Sequence, residues 1–277
     1  MFDQIFVCLD GSPSAEKILP LAQGIAKAKG ANLVLLRVVE DTSEIASEEH
    51  YMRERAALFG GQIRFLVSPD PGAAIVGELA MNSGAIPALT THGRTAWAEA
   101  LFGSVALKLI RGAGRPVLVY RPLPHDMRAP AKISTVMIAL DGNELSERIL
   151  PFAVEIAKPL AARLLLVQVL RPGGQQTPPL REIKTDLLES SYLHAKAAEV
   201  RQEYDIEADW DVLHGEPGDA ICRYISGMRD TLLAMTSHAR GGLKRAVFGS
   251  VAAECIRNGG APMLIYWPHS EVGSREA

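Results

Sequence analysis

Two glycine-serine pairs have the residue types and spacing to bind an anion in this chain of 277 residues. Gly103-Ser104 and Gly249-Ser250 each follow a phenylalanine and open a segment with a helical pattern. Glycines let a backbone come close to a phosphate, and a helix N-terminus offers free N–H groups. The serine hydroxyl can cap the helix or donate to a phosphate oxygen. The pairs predict phosphate binding, and a plain helix start explains either pair alone equally well.

Residues around each pair extend the two candidate sites. In the first half they are Thr90, Gly93, Arg94 and Val105. In the second half they are Thr236, Arg240 and Val251. Glycine content favours the first site, because Ala239 stands where the first half has Gly93. An alanine at positive φ costs about 1 kcal/mol, and its methyl group can block a phosphate.

Charge favours the second site instead. Its loop contains Arg240, Lys244 and Arg245, whereas the first loop contains Arg94 and the acidic Glu99. We give backbone access more weight than charge, because Mg²⁺ or a helix dipole can replace a missing lysine, whereas a blocked loop stays closed. The sequence therefore favours the first site over the second.

An Asp-Gly turn follows the first apolar run of each half. The turns are Asp10-Gly11-Ser12 and Asp141-Gly142. Valines close the second apolar run of each half, at Val38 and Val169. In an open parallel sheet, ligands bind beyond the carboxyl ends of the strands. These turns and valines are therefore candidates for the same two sites as the glycine-serine pairs.

Several of these residues also have a purely structural explanation. Aspartate often caps its own turn by accepting hydrogen bonds from the backbone, and Ser12 followed by Pro13 is typical of a helix start. His92 and His238 have no carboxylate or cysteine nearby in sequence, so we expect them to anchor loops. The sequence has no nucleophile elbow, metal-binding cluster or Walker-type loop. We therefore predict no catalytic residue and no metal ligand.

The chain repeats itself, and the repeat predicts two domains. Residues 5–40 align with residues 136–171, and residues 91–122 align with residues 237–268. The offset between equivalent residues grows from 131 at Asp10 and Asp141 to 146 at Gly103 and Gly249, so the second half carries 15 more residues in its middle. We place them in a longer loop and helix between 172 and 205. The predicted domains are 1–124 and 132–270, with a linker at 122–132.

Each half alternates strand and helix patterns, which predicts an α/β fold with a mainly parallel sheet. We predict five strands and four helices per half. The strands are Gln4–Leu9, Leu33–Val39, Gln62–Val67, Pro87–Thr90 and Pro116–Tyr120, then Val136–Leu140, Arg163–Val169, Ile206–His214, Thr231–Met235 and Pro262–Tyr266. The first-half helices are Ser14–Lys29, Ser43–Phe59, Gly72–Ser83 and Ser104–Arg111. Fully apolar strand cores indicate helices on both faces of the sheet.

Composition limits the classes of partner. Hydrophobic residues make up 48% and charged residues 22%, which is typical of a chain that buries a core. A net charge of −3 gives no long-range attraction to nucleic acid or to an anionic membrane. The first residues do not resemble a signal peptide, and the apolar runs are too short to span a membrane. We expect a soluble cytoplasmic protein whose three cysteines are buried and reduced.

The combination of LDGS, THGR, FGSVA and a closing PVLVYRP strand resembles the universal stress protein domain, twice over and across nearly the whole chain. The resemblance implies two tandem doubly wound domains of the adenine nucleotide alpha hydrolase type, paired as an intramolecular pseudo-dimer through residues 117–120 and 263–266. Members with a Gly-x2-Gly-x9-Gly-Ser/Thr motif bind ATP. By analogy the first site is Asp10, Val38, Gly93, Gly103 and Ser104, and the second is Asp141, Val169, Gly249 and Ser250.

This chain departs from that motif at Thr90, Thr236 and Ala239, which replace glycines. The resemblance implies a regulatory ATP-binding protein of the stress response, with Mg²⁺ as an accompanying ion and slow or no hydrolysis, since no general base is evident. Regulatory protein partners and a further homodimer follow from the same resemblance. The alternative is an interaction module with degenerate pockets that binds no nucleotide. A third interpretation, an adenylate-forming or electron-transfer enzyme, lacks its sequence patterns.

Overall fold

Ten strands are present in the computed structural model, which describes residues 1–91, 102–121, 132–171, 179–237 and 248–268, without the side chains of 179–189. They are β1 (Gln4–Leu9), β2 (Asn32–Val39), β3 (Gln62–Val67), β4 (Ala85–Thr90), β5 (Val117–Tyr120), β6 (Thr135–Leu140), β7 (Arg163–Leu170), β8 (Ala208–His214), β9 (Thr231–Thr236) and β10 (Met263–Tyr266). Every strand predicted from sequence is observed, with its ends within two residues of the prediction.

The strands form one continuous sheet in the order β3-β2-β1-β4-β5-β10-β9-β6-β7-β8. Neighbours within each half are parallel. The halves meet where β5 pairs antiparallel with β10, with Leu118 opposite Leu264. This junction confirms the predicted pairing of the two closing strands within one chain. Apart from the partly buried Tyr266, the residues of both strands are 2% exposed or less, so the junction is part of the core.

Nine α-helices cover the described parts of the sheet. They are α1 (Leu19–Lys29), α2 (Ile45–Phe59), α3 (Pro71–Met81), α4 (Ser104–Gly112), α5 (Glu144–Glu147), α6 (Leu150–Ala157), α7 (Pro179–Tyr204), α8 (Pro217–Ser226) and α9 (Ser250–Asn258). One apolar cluster includes residues of α1, α2, α6 and α7, and the other includes residues of α3, α4, α8 and α9. Two helical layers therefore enclose the sheet, as its apolar strands predict.

The prediction of one continuous helix over Ser14–Lys29 is wrong in its first turn. Residues Ala15–Ile18 form a 3-10 helix, and α1 begins only at Leu19. The physical reason is Pro20, which has no N–H and whose ring collides with the preceding turn, so it is tolerated at the start of a helix and not inside one. The second half has the same break, because Pro151 is the second residue of α6.

The extra residues of the second half lengthen a helix, as predicted. Helix α7 has 26 residues, whereas its counterpart α2 has 15. Residues 172–178 lie outside the described residues, as do 122–131 of the predicted linker. The domain boundaries at 124, 132 and 270 therefore stay predictions.

An ion pair joins the two halves on the α1 side of the sheet. Glu155 of α6 accepts from Lys29 Nζ at 3.0 Å and from the backbone N–H of Phe2 at 2.5 Å. The side chains of Glu155 and Lys29 are only 12% and 13% exposed. Because the pair is largely shielded from water, its attraction is screened less than that of a surface pair.

Substitutions at Gly77 and Gly30 test the backbone conformations at these two positions. A Cβ at either position would have no neighbour within 4 Å, but Gly77 lies inside α3, whereas Gly30 ends α1 with φ +71°. We expect Gly77→Ala to stabilise the protein by about 0.5–1 kcal/mol, because alanine restricts the unfolded chain. Gly30→Ala should destabilise it by about 1 kcal/mol, because a Cβ disfavours the left-handed conformation.

Urea unfolding of both variants beside the parent chain measures these changes. The two substitutions add the same methyl group in open space and differ only in backbone conformation. Equal effects of the same sign would contradict the assigned φ angles.

Candidate functional site

Each half has a cleft at the carboxyl ends of its parallel strands. In the first half, β1 lies between β2 and β4, so the chain winds in opposite directions on its two sides. Ligands bind at such a point of reversal in open α/β sheets. The first cleft measures about 230 Å³ and the second about 380 Å³. Both open on the α3 or α8 side of the sheet, since Pro71 lines the first and Pro217 the second.

The first cleft brings together six of the residues predicted from sequence. They are Asp10, Val38, Thr90, Gly103, Ser104 and Val105. Gly11 and Ser12 are in the adjoining turn and do not line the cleft. Gly93 and Arg94 lie outside the described residues. The predicted set is therefore assembled from the turn after β1, the ends of β2 and β4, and the start of α4.

The second cleft assembles the matching set. Its predicted lining residues are Asp141, Val169, Thr236, Gly249, Ser250 and Val251. Gly142 is in the adjoining turn, and Arg240 lies outside the described residues. The cleft also contains Arg171, at the position where the first half has Glu40. Arg171 pairs with Glu216 at 3.4 Å and is about half exposed, so a cation lies at the edge of this cleft.

The two aspartates hold the turns in which they occur. Asp10 Oδ1 accepts from the backbone N–H of Ser12 at 2.9 Å, and Asp141 Oδ1 accepts from that of Asn143 at 3.2 Å. The glycine that follows each aspartate has a positive φ, 81° at Gly11 and 78° at Gly142, which is a conformation that favours glycine. The structural explanation of these aspartates is thus confirmed. Because both also line a cleft, their turn fixes a carboxylate at its mouth.

Side-chain caps start the helical segment after each turn. Ser12 Oγ accepts from the N–H of Ala15 at 3.1 Å. In the second half Asn143 Oδ1 takes this role and accepts from the N–H of Leu145 at 3.2 Å. The prediction that Ser12 begins a helix is confirmed, and its hydroxyl acts in folding.

The glycine-serine pairs begin α4 and α9. Gly103 has φ −68° and ψ 160°, and Gly249 has φ −58° and ψ 134°, so any residue could adopt either backbone conformation. Among the described residues, a Cβ on Gly103 would meet the carbonyl oxygen of Thr91 alone, at an ordinary 3.5 Å. Neither the backbone conformation nor the packing of the described residues therefore requires glycine at position 103. The space it leaves lies beside the exposed Ser104 at a helix N-terminus.

Apolar side chains form the other wall of each cleft. In the first cleft Val38 lies with Leu36 and Ile75, and in the second cleft Val169 lies with Ile221 and Met235. An apolar wall facing a helix N-terminus suits a ligand with a flat apolar part and an anionic tail.

In each half a glutamate that was not predicted from sequence joins two helical segments, the 3-10 helix Ala15–Ile18 to α2 in the first half and α5 to α7 in the second. In the first half Arg55 donates to Glu16 at 2.9 Å. In the second half Tyr192 donates to Glu147 at 2.7 Å, and Lys196 pairs with Glu147 at 2.9 Å. The glutamates match at an offset of 131, whereas Arg55 and Lys196 differ by 141. The insertion between them hides the correspondence in the sequence.

The residue behind the turn differs between the halves. Arg37 is 8% exposed and pairs with Glu48 at 3.1 Å. The matching Gln168 is 5% exposed, and its Oε1 accepts no hydrogen bond from the described residues. Val167 and Val169 line the cleft, so the side chain between them points to the opposite face of the sheet. Gln168 therefore supports the turn from behind and does not face a ligand in the cleft.

Two phenylalanines connect the candidate sites across the junction of the halves. Phe102 and Phe248 directly precede Gly103 and Gly249, and their ring centroids are 4.8 Å apart in an edge-to-face arrangement. Phe248 also lines the second cleft. The start of α4 is thus in contact with a wall of the second cleft.

A double-mutant cycle with Phe102→Leu and Phe248→Leu measures this contact. We expect each variant to be destabilised and the coupling between them to be about 0.5–1.5 kcal/mol, as for other aromatic pairs. Thermal and urea unfolding of the parent, the single variants and the double variant give the four values. Strictly additive effects would show that the rings do not interact in solution.

The described ranges hold neither a metal-binding cluster nor a membrane-spanning helix. There, no group of three or more histidine, cysteine, aspartate or glutamate side chains is placed to hold a metal ion. Among the helices of that part of the chain, none combines the length and the apolar character that crossing a membrane requires.

Comparison with known proteins gives consistent matches. A model of the universal stress protein family matches residues 1–121 and again residues 132–266. A universal stress protein of Methanocaldococcus jannaschii is 25% identical over 135 residues, 47% of this chain and 79% of that protein. One of Mycobacterium tuberculosis is 26% identical over 196 residues, 66% of this chain and 62% of that protein. This chain therefore spans less than two thirds of the mycobacterial relative.

Solved structures share the fold over both halves. A universal stress protein from Archaeoglobus fulgidus aligns with a TM-score of 0.67 at 20% identity, over 96% of this chain and 99% of that one. A Pseudomonas aeruginosa protein of unknown function aligns with a TM-score of 0.69 at 19% identity, over 96% and 93%. Identities this low show the tandem fold and leave the ligand open.

Proposed function

Because this chain belongs to the universal stress protein family, we propose that it binds ATP as a regulatory ligand in its two clefts. The observation that carries the proposal is the glycine at position 103, beside the exposed Ser104, which neither its backbone conformation nor the packing of the described residues requires. The same combination of turn, apolar wall and helix start occurs in both halves. We further propose that the protein acts in the cytoplasm, in the response to stress.

The parts of ATP fit the parts of each cleft. The apolar wall at Val38 or Val169 suits the adenine ring. The carboxylates of Asp10 and Asp141 are held at the mouth, where they can accept from ribose hydroxyls. The phosphates would meet the N–H groups and the serine hydroxyl at the start of α4 or α9. Gly93, Arg94 and Arg240 stay predictions for the phosphate end.

The second cleft is the principal site in this proposal. Ligand pockets usually measure about 300–1,000 Å³, and only the second cleft reaches that range, with 380 Å³ against 230 Å³. Each cleft has one arginine among its described lining residues, Arg37 in the first and Arg171, which pairs with Glu216, in the second. We give the larger cleft more weight than the glycine pattern, which favours the first half.

Slow or no hydrolysis is consistent with the lining. Among the described lining residues the only carboxylates are those of Asp10 and Asp141, and each is engaged by a backbone N–H of its own turn. A general base must reach the attacking water, and neither carboxylate lies at the helix start where the phosphates would be. Mg²⁺ would accompany the nucleotide through phosphate oxygens and water, as it commonly does.

Valine at the two helix starts tests the site assignment. Gly103→Val and Gly249→Val keep an allowed backbone conformation and add a side chain at the helix start where the phosphates are proposed to bind. We expect Gly249→Val to weaken the tighter ATP binding at least tenfold, which is about 1.4 kcal/mol. Gly103→Val should affect only the weaker binding. Calorimetric titration with Mg²⁺-ATP measures both affinities and the number of sites.

Gly77→Ala is the matched control, because it adds a side chain to a glycine of α3 that does not line a cleft. Its ATP binding should equal that of the parent chain. If neither valine variant changes ATP binding while both remain folded, the assignment of the clefts is wrong.

An interaction module without nucleotide is the second candidate function. It is favoured by the small volume of the first cleft and by Ala239 in place of a glycine. This function predicts that saturating ATP leaves the melting temperature unchanged and that native mass spectrometry finds no bound nucleotide. A thermal shift that is lost in Gly249→Val would contradict it.

A further inference from the structure

Two cysteines of the second half face each other where α8 packs on α9. Cys222 Sγ lies 3.8 Å from the backbone oxygen of Glu254, the residue directly before Cys255. Both cysteines are free thiols. Cys222 therefore contacts the turn of α9 that carries Cys255, although 33 positions separate the two cysteines in the chain.

A glycine brings the two helices this close. Gly218 lies one helical turn before Cys222, and a Cβ there would fall 2.8 Å from the Cβ of Glu254. Cβ contacts this short are essentially never observed, so only glycine permits the approach. Gly72 has the same role between α3 and α4, where a Cβ would lie 3.0 Å from the Cβ of Lys108. The close packing is thus a feature of both halves.

The first half fills the matching positions with apolar side chains. At the offset of 146, Cys222 corresponds to Val76 and Cys255 to Leu109, and both apolar residues pack in the same core cluster. The fold therefore accommodates an ordinary apolar pair at this contact. Packing alone therefore does not explain why the second half has two cysteines at these positions.

The two thiols have unequal environments. Cys222 is partly exposed, whereas Cys255 is 1% exposed. The hydrogen bond from Cys255 lowers the pKa of the Cys222 thiol despite its partial burial. The same hydrogen bond and burial raise the pKa of the Cys255 thiol. A reactive cysteine is accessible and readily becomes a thiolate, so Cys222 is the member that an oxidant meets first.

We propose that Cys222 and Cys255 form a dithiol that a hydroperoxide oxidises to a disulfide joining α8 to α9. In the first step the Cys222 thiolate attacks one oxygen of hydrogen peroxide, the O–O bond breaks, and the departing hydroxide takes a proton and leaves as water. Cys222 becomes a sulfenic acid. In the second step the Cys255 sulfur bonds to the Cys222 sulfur, and the hydroxyl group leaves with the Cys255 proton as a second water. The pair loses two electrons, and the peroxide gains two.

The disulfide would fix two walls of the second cleft. Ile221 of α8 is adjacent to Cys222 and lines that cleft together with Val251 and Ala252 of α9. The bond would thus hold α8 and α9 at one separation in the half with the larger cleft. Formation of the disulfide does not depend on the function proposed for the cleft.

Counting free thiols in the full chain before and after hydrogen peroxide tests the proposal. Alkylation under denaturing conditions should find three thiols before treatment and one afterwards, with the chain lighter by two hydrogens. Peptide mapping should show Cys222 linked to Cys255 within a monomer, and dithiothreitol should restore three thiols. Cys8 should stay reduced, because burial raises the pKa of its thiol to about 12.

Substitutions that copy the first half provide the controls. Cys222→Val and Cys255→Leu keep the apolar packing of the matching positions, and circular dichroism and melting confirm that they fold. Cys222→Val should retain two thiols after peroxide. Cys255→Leu should stop at a sulfenic acid on Cys222, which dimedone traps. The proposal is overturned if the parent chain keeps three thiols, forms only disulfides between chains, or accumulates sulfinic acid on Cys222 with Cys255 free.

Discussion

Parallel pairing of the first strand with a neighbour on each side is the constraint on which each half of the molecule depends. In the first half, β1 pairs with both β2 and β4. It brings the carboxyl ends of three strands to one edge, so loops far apart in sequence meet around one cleft. The second half repeats the arrangement with β6 between β7 and β9. Both faces of the sheet are covered by helices, so the carboxyl edge is where polar loops come together.

The antiparallel pairing of β5 with β10 makes one molecule of the two halves. It buries two apolar edges that would otherwise be open to other chains. The same junction brings Phe102 against Phe248, directly before the two helix starts. The repeated halves therefore have two similar clefts that are connected through this aromatic contact. The two halves also differ in sequence. Arg37 against Gln168, and Val76 against Cys222, are the clearest differences.

Much of this was predictable from sequence, because the signals are local. Apolar runs bounded by turns predicted every strand, and Gly-Ser before a helical pattern predicted the starts of α4 and α9. The break between the 3-10 helix and α1 at Pro20 was not predicted, because the helical pattern of apolar residues continues across it. The pairing of Glu147 with Lys196 and the contact of Cys222 with Cys255 were not predictable, because they depend on packing between helices. Cleft volume likewise depends on the whole assembly.

A crystal structure of the chain grown with Mg²⁺-ATP examines the proposed function most directly. We predict an adenine ring against Val169 and a triphosphate at the N–H groups that begin α9, beside Gly249 and Ser250. A structure in which the protein's own side chains fill both clefts, or in which ATP binds elsewhere, would contradict this function. The tandem fold would stand in either case.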